Sequence, residues 1–215
     1  MSKAKNKIDE KDILEFLKYS YFGNLKDPIE AASNRAYRDM CRTLRFGVLP
    51  IDTKATTISN LIEAVNVIFK EEIPIINEGS IANQEKFDKW HEQLCKNIKV
   101  LYNKKGIDFT YGQAQKWVNM TIKYLYMLEV EEYTFDSIFE YLHIPIDKYI
   151  FEVVEKKLEI KRPVDAWSRW DKYEEYLKYQ KDIRERIEKD KNIDVPPLLW
   201  EFKNWLEVAK GNLND

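Results

Sequence analysis

Apolar residues recur at helical spacing along most of the chain, and no stretch makes a convincing strand. "DEKDILEFLKYSYF" predicts a first helix with Asp9 as its cap. "DPIEAASNRAYRDMCRTLRF" predicts a second, opened by Asp27-Pro28, because proline suits a first helical turn. "TISNLIEAVNVIFK" predicts a third. In "NQEKFDKWHEQLCKNIKVLYNKK", Phe87, Trp90, Leu94, Ile98 and Leu101 fall on one stripe of a long fourth helix. "YGQAQKWVNMTIKYLYML" gives a fifth, followed by a short "TFDSIFEYL" and by "PIDKYIFEVVEKKL". "DAWSRWDKYEEYLKYQKDIRERIEKD" and "PPLLWEFKNWLEVAK" bring the count to about nine helices. "EEIPIINEG" reads as an extended segment, too short to found a sheet. The expected fold is all-α, a compact bundle with short connections. It spans residues 1–215 as one domain, or as two helical lobes around a cleft, about 1–103 and 104–215.

Composition changes this picture little. Glycine (6) and proline (7) are scarce, which argues against an all-β chain full of tight turns. Lys and Arg (35) nearly balance Asp and Glu (37), so any basic surface must be local. Cys41 and Cys95 are the only cysteines, and His91 and His143 the only histidines. Without CxxC or HExxH, no metal site is expected, and no cofactor either. Lone histidines of this kind read as core or surface polar groups. The N-terminal "MSKAKNKIDEKD" is charged throughout, unlike a secretory signal. No run approaches the ~18 apolar residues of a membrane span. The expectation is a cytoplasmic chain with no membrane partner.

Lys116 opens the fifth helix. At about 100° per residue, Trp117, Val118, Thr121, Leu125 and Leu128 share a core face, while Lys116, Asn119 and Lys123 share another that reads as the wet side. A surface lysine there is expected to be replaceable within about 0.5 kcal/mol. Yet a lysine is poorly placed at the positive end of a helix dipole, whose field favours a neutral amine. A neutral amine can attack carbon and form a Schiff base. Downstream, in "YLHIPIDKYIFEVV", Asp147 lies near the start of the next helix, where a carboxylate is electrostatically welcome.

Glycine, then a lysine opening an apolar helix, then a hydrophobic-Pro-hydrophobic-Asp segment opening another, resembles the helix-hairpin-helix DNA glycosylase superfamily. The resemblance runs from Tyr111 to Val154. The 31-residue separation of Lys116 and Asp147 is longer than in most of that superfamily and looks more like the archaeal-type 8-oxoguanine DNA glycosylases. The resemblance implies a base-excision glycosylase/AP lyase acting on double-stranded DNA with a damaged base, an oxidised purine among the candidates. Lys116 would attack the sugar C1′ and Asp147 would assist. The superfamily's hairpin has two glycines that let the backbone approach phosphate. Only Gly112 is present here.

Arg35, Arg38, Arg42 and Arg45 fall within roughly 80° of helix surface and read as a phosphate track or as a solvated, salt-bridged face. Trp167 and Trp170, neighbours on an expected helix and flanked by Asp165 and Asp171, supply a flat wall and hydrogen-bond acceptors for a flipped base. The same tryptophans read as buried core. Gln113 and Gln115 flank the lysine and can also meet a base edge. The competing reading is a non-catalytic helical protein that keeps the glycosylase-like fold and binds nucleic acid or a protein partner.

Overall fold

The computed structural model describes residues 8–211, so residues 1–7 of the charged N-terminal stretch and residues 212–215 lie outside it. Among the described residues there are eight α-helices and no strand. They are α1 (Glu10–Phe22), α2 (Pro28–Met40), α3 (Lys54–Asn77), α4 (Gln84–Asn103), α5 (Tyr111–Leu128), α6 (Lys148–Leu158), α7 (Tyr173–Lys189) and α8 (Pro197–Gly211). Three 3-10 turns, Cys41–Thr43, Phe139–Tyr141 and Trp167–Arg169, punctuate them.

The departures from the expected nine have local causes. "TFDSIFEYL" forms only the turn at Phe139–Tyr141, with Phe135 at a positive φ of 57°. "EEIPIINEG" is not extended: α3 runs through Pro74 to Asn77, because Ile73 and Ile76 continue its buried stripe. Trp167 and Trp170 do not share a helix. Their segment is a 3-10 turn, and α7 begins at Tyr173.

Helix α5 is the centre. All of its 18 residues except Tyr111, Tyr126 and Met127 are buried. Small residues on α2, Ala32, Ser33 and Ala36, let the two helices approach closely, and Trp117 Nε1 donates to the Ser33 carbonyl at 3.0 Å. Helices α4 and α7 and the Trp167–Arg169 turn cover its other sides. Buried apolar side chains form one contiguous cluster from Ile29 to Trp200. Helix α1 contributes none of them and leans on α2, with Lys18 Nζ donating to the Leu128 carbonyl at 2.9 Å.

Beside α5 lies a second buried feature, the loop Leu142–Ile146. Its polar groups must be matched within the protein, because no water reaches them. Gln180 Nε2 and Asn119 Nδ2 both donate to the Ile144 carbonyl. The histidines belong to this network. Asn119 Nδ2 donates to Tyr176 Oη (2.8 Å), which donates to His143 Nδ1 (2.8 Å), and His143 Nε2–H donates to Asp88 Oδ1 (2.9 Å). His91 Nε2–H donates to Asn119 Oδ1 (2.9 Å), and the Tyr173 hydroxyl, 2.8 Å from His91 Nδ1, also reaches the Asp88 carbonyl at 3.2 Å. The Asp88 carboxylate and the Asn119 carbonyl oxygen thus each take an Nε2–H, and burial keeps both rings neutral.

Burial lowers the pKa of both histidines below the ordinary imidazole value. Asp88 opposes this at His143, while Arg184 and Lys181 reinforce it. The unfolded chain therefore binds protons below about pH 6.5 that the folded chain refuses. Stability should fall as pH drops from that value, by up to about 1.4 kcal/mol per pH unit for each histidine. Urea midpoints at pH 7.5 and 5.5 test this. A flat profile would contradict the neutral network.

Candidate functional site

Asp147 caps α6. Its Oδ1 accepts from the backbone N–H groups of Tyr149 and Ile150, both at 2.9 Å, which satisfies two orphan donors of the first turn. Its Oδ2 accepts from Lys116 Nζ at 2.8 Å. The two side chains are 6% and 16% exposed, so the pair is nearly sealed but not cut off from solvent. Burial works against ionisation of Asp147, but the Lys116 ammonium and the cap amides outweigh it and hold the carboxyl below the usual range.

The pair stands in the wall of a cleft of about 700 Å³. Arg35, Arg42 and Thr43 line it on one side, Lys148, Tyr149 and Trp167 on another. Helix α8 closes the far side with Glu201, Phe202 and Trp205, where Tyr149 meets Trp205 edge-on at 6.1 Å. Lys123 also lines the cleft and is bound by both oxygens of Glu201, at 2.9 and 2.6 Å. Burial raises the Glu201 pKa, against the pull of Lys123. Two carboxyls in one cleft thus titrate in opposite directions, Asp147 down and Glu201 up.

The lysines correct the reading of α5. Lys116, Asn119 and Lys123 do share one side, but it is not wet, since Lys116 is 5% and Lys123 6% exposed. The polar stripe points into partners brought by other elements, so Lys116 is not replaceable at the cost of a surface residue.

The remaining expected site residues separate. Trp167 reaches the cleft, while Trp170 is core, packed against Phe151, Tyr176 and Tyr179. Asp165 is exposed at a different hollow, which an edge of Trp170 also lines. Asp171 pairs with Lys99. Gln113 is consumed by the α5 capping box with Thr110 and by donation to Thr43. Gln115 is fully buried and bonded to Ile146. Neither glutamine faces the cleft.

The arginines do not form one helical stripe, because α2 ends at Met40. Arg42 lies in the following turn and Arg45 beyond it. Arg35 and Arg42 line the cleft, whereas Arg38 and Arg45 are exposed elsewhere. Arg35 is already engaged by Asp39 at 3.1 Å and stacks 3.9 Å above the Tyr21 ring. Tyr124 donates to the other Asp39 oxygen. The sequence reading missed the α8 contribution. Its only signal was a glutamate and a tryptophan one helical turn apart, Glu201 and Trp205, in a helix that also carries Lys203, Asn204, Glu207 and Lys210.

Gly112 has a different task from phosphate approach. Its N–H donates to the Trp170 carbonyl at 2.9 Å, and Thr110 Oγ1 donates to the Ser168 carbonyl at 2.9 Å. The turn around Trp167 therefore sits on the N-terminus of α5. A Cβ on Gly112 would lie 1.7 Å from the Trp167 carbonyl oxygen.

Set against protein-family models, curated proteins and solved structures, the chain matches none.

Gly112→Ala should destabilise by about 1–3 kcal/mol, because backbone rather than a flexible side chain must yield. Gly47→Ala, whose Cβ would meet nothing within 4 Å, should stay within about 0.5 kcal/mol. Urea denaturation of the two variants decides. Equal stabilities would contradict the close approach at Gly112.

Proposed function

We propose that the chain is a DNA base-excision glycosylase/AP lyase in which Lys116 is the Schiff-base nucleophile. The observation that carries this reading is the Lys116–Asp147 contact in the wall of a cleft large enough for a flipped nucleotide. Trp167 and Trp205 offer flat apolar surfaces to a base. Arg42 and Lys148, both exposed, lie at the cleft's edge and suit the flanking phosphates. The resemblance of residues 111–154 to the helix-hairpin-helix glycosylases, archaeal type, points the same way.

In this reading Lys116 Nζ passes one proton to the departing base and attacks C1′, as the glycosidic C1′–N bond breaks with its electron pair on that base. The resulting aminal opens to a protonated imine as the ring C1′–O bond breaks, and the ring oxygen takes the second proton shed by Nζ. Asp147, ionised and fixed by the α6 N-terminus, stabilises positive charge developing on the sugar. A damaged base, being a better leaving group or a poorer stacking partner, enters more readily.

A second reading, a non-catalytic binding protein, is favoured by two observations. The Lys116 ammonium is already neutralised by Asp147, and the Gly112 amide is spent on the Trp167–Trp170 turn. Borohydride separates the two. Wild type incubated with an abasic-site duplex should yield a covalent complex under reduction. Lys116→Gln should yield none, while Lys123→Gln should still be trapped. Lys116→Gln should also lose about 3 kcal/mol of stability, towards the low end for breaking a buried pair, because the amide still donates to Asp147. Each variant's folded fraction is therefore measured alongside. A wild type that is never trapped would assign the chain to the binding class, and a trapped Lys116→Gln would place the nucleophile elsewhere.

A further inference from the structure

Lys116 and Asp147 lie 31 residues apart in the chain, on elements that meet only through packing and a few hydrogen bonds. Hydrophobic burial is non-directional, so it brings α5 and the Leu142–Ile146 loop together without setting their register. An ion pair does not set it either, because a long lysine side chain reaches a carboxylate from many positions. Something directional must.

Gln115 has that geometry. Its side chain is 0% exposed and bonds both backbone polar groups of Ile146. Nε2 donates to the Ile146 carbonyl at 3.2 Å, and Oε1 accepts from the Ile146 N–H at 3.3 Å. The assignment of the amide is forced, because the Ile146 N–H can only donate. Oε1 also accepts from Asn119 Nδ2 at 3.1 Å, and Asn119 is itself held by His91 and Tyr176. A slip of the loop by one residue in one direction would bring Pro145, which has no N–H, to the clamp, and in the other it would put Asp147 where Ile146 sits and carry its side chain past Lys116. Gln115 immediately precedes Lys116, and Ile146 immediately precedes Asp147. Both reactive side chains therefore leave one clamp in step.

We propose that Gln115 is the positioning residue of the site, holding the Ile146 peptide so that Asp147 stands opposite Lys116. The catalytic part of this statement rests on the base-excision reading. The effect on the Lys116–Asp147 pair does not.

The test compares wild type with Gln115→Ala and Gln115→Glu, each checked for folding by thermal melting. Three quantities are read: affinity for an abasic-site duplex by fluorescence anisotropy, borohydride trapping rate at saturating protein, and reductive methylation of Lys116 by formaldehyde and cyanoborohydride, followed by peptide mass spectrometry. Gln115→Ala should keep its affinity within about twofold and lose about a hundredfold in trapping rate, the scale of a roughly 1 Å misplacement. Its Lys116 methylation should rise several-fold, because the ammonium is no longer held. In Gln115→Glu a protonated carboxyl offers one donor and one acceptor and restores the clamp. Its trapping rate relative to wild type should climb as the pH is lowered from 8 to 6, which a merely structural role would not produce. This variant also keeps the test open should Gln115→Ala fail to fold.

Wild-type rates and unchanged methylation in Gln115→Ala would overturn the proposal. So would a loss of trapping that follows only the folded fraction, with no pH-dependent recovery in Gln115→Glu. Absence of trapping in wild type, together with raised Lys116 methylation in Gln115→Ala, would remove the base-excision reading and leave the clamp standing.

Discussion

Helix α5 is buried on every side yet carries Gln113, Gln115, Lys116, Asn119, Thr121 and Lys123. A buried polar group without a partner costs several times what a typical hydrogen bond contributes, so each must be matched. Thr121 turns back to its own helix at the Trp117 carbonyl. The others reach different segments: Gln113 the turn after α2, Gln115 and Lys116 the Ile146–Asp147 segment, Asn119 helices α4 and α7, and Lys123 helix α8. The matching demand on one helix thereby fixes where five other parts of the chain sit.

The cleft follows from the same demand. Two buried lysines about two turns apart on one face draw a carboxylate each, and the two carboxylates arrive on different elements. Between them remains a space of about 700 Å³. Asp147 accepts backbone hydrogen bonds from α6 and is held ionised, whereas at Glu201 burial outweighs the pull of Lys123 and Lys116, and Asp147 adds to the push upward. A pair of titratable groups driven apart by their surroundings is a common property of sites that move protons.

Much of this was legible in the sequence, and the failures share one cause. Helical periodicity fixed the class and the extent of α4 and α5, but it carried α2 six residues past its end at Met40. That Lys116 meets Asp147 was expected only from the resemblance to the helix-hairpin-helix glycosylases, and Lys116 is the sixth residue of α5 rather than part of its first turn. The wet side assigned to α5 was wrong because periodicity records which faces are apolar and cannot report that a polar face is covered by matching polar groups. Trp167 and Trp170 were placed on a helix because aromatic spacing looked helical. The Ser168 and Trp170 carbonyls are instead drawn to the N-terminus of α5, which holds the segment in a turn. Glu201 was invisible because its partner, Lys123, is 78 residues away.

The central claim is that one amine, held by one carboxylate, is the reacting group of the cleft. The direct measurement is peptide mapping by mass spectrometry of wild-type protein reduced with borohydride in the presence of an abasic-site duplex and then digested with nuclease and protease. The account predicts a sugar-derived mass on the peptide containing Lys116, with the Lys123 side chain unmodified. An adduct on Lys123, on a lysine outside the cleft, or on none would contradict it.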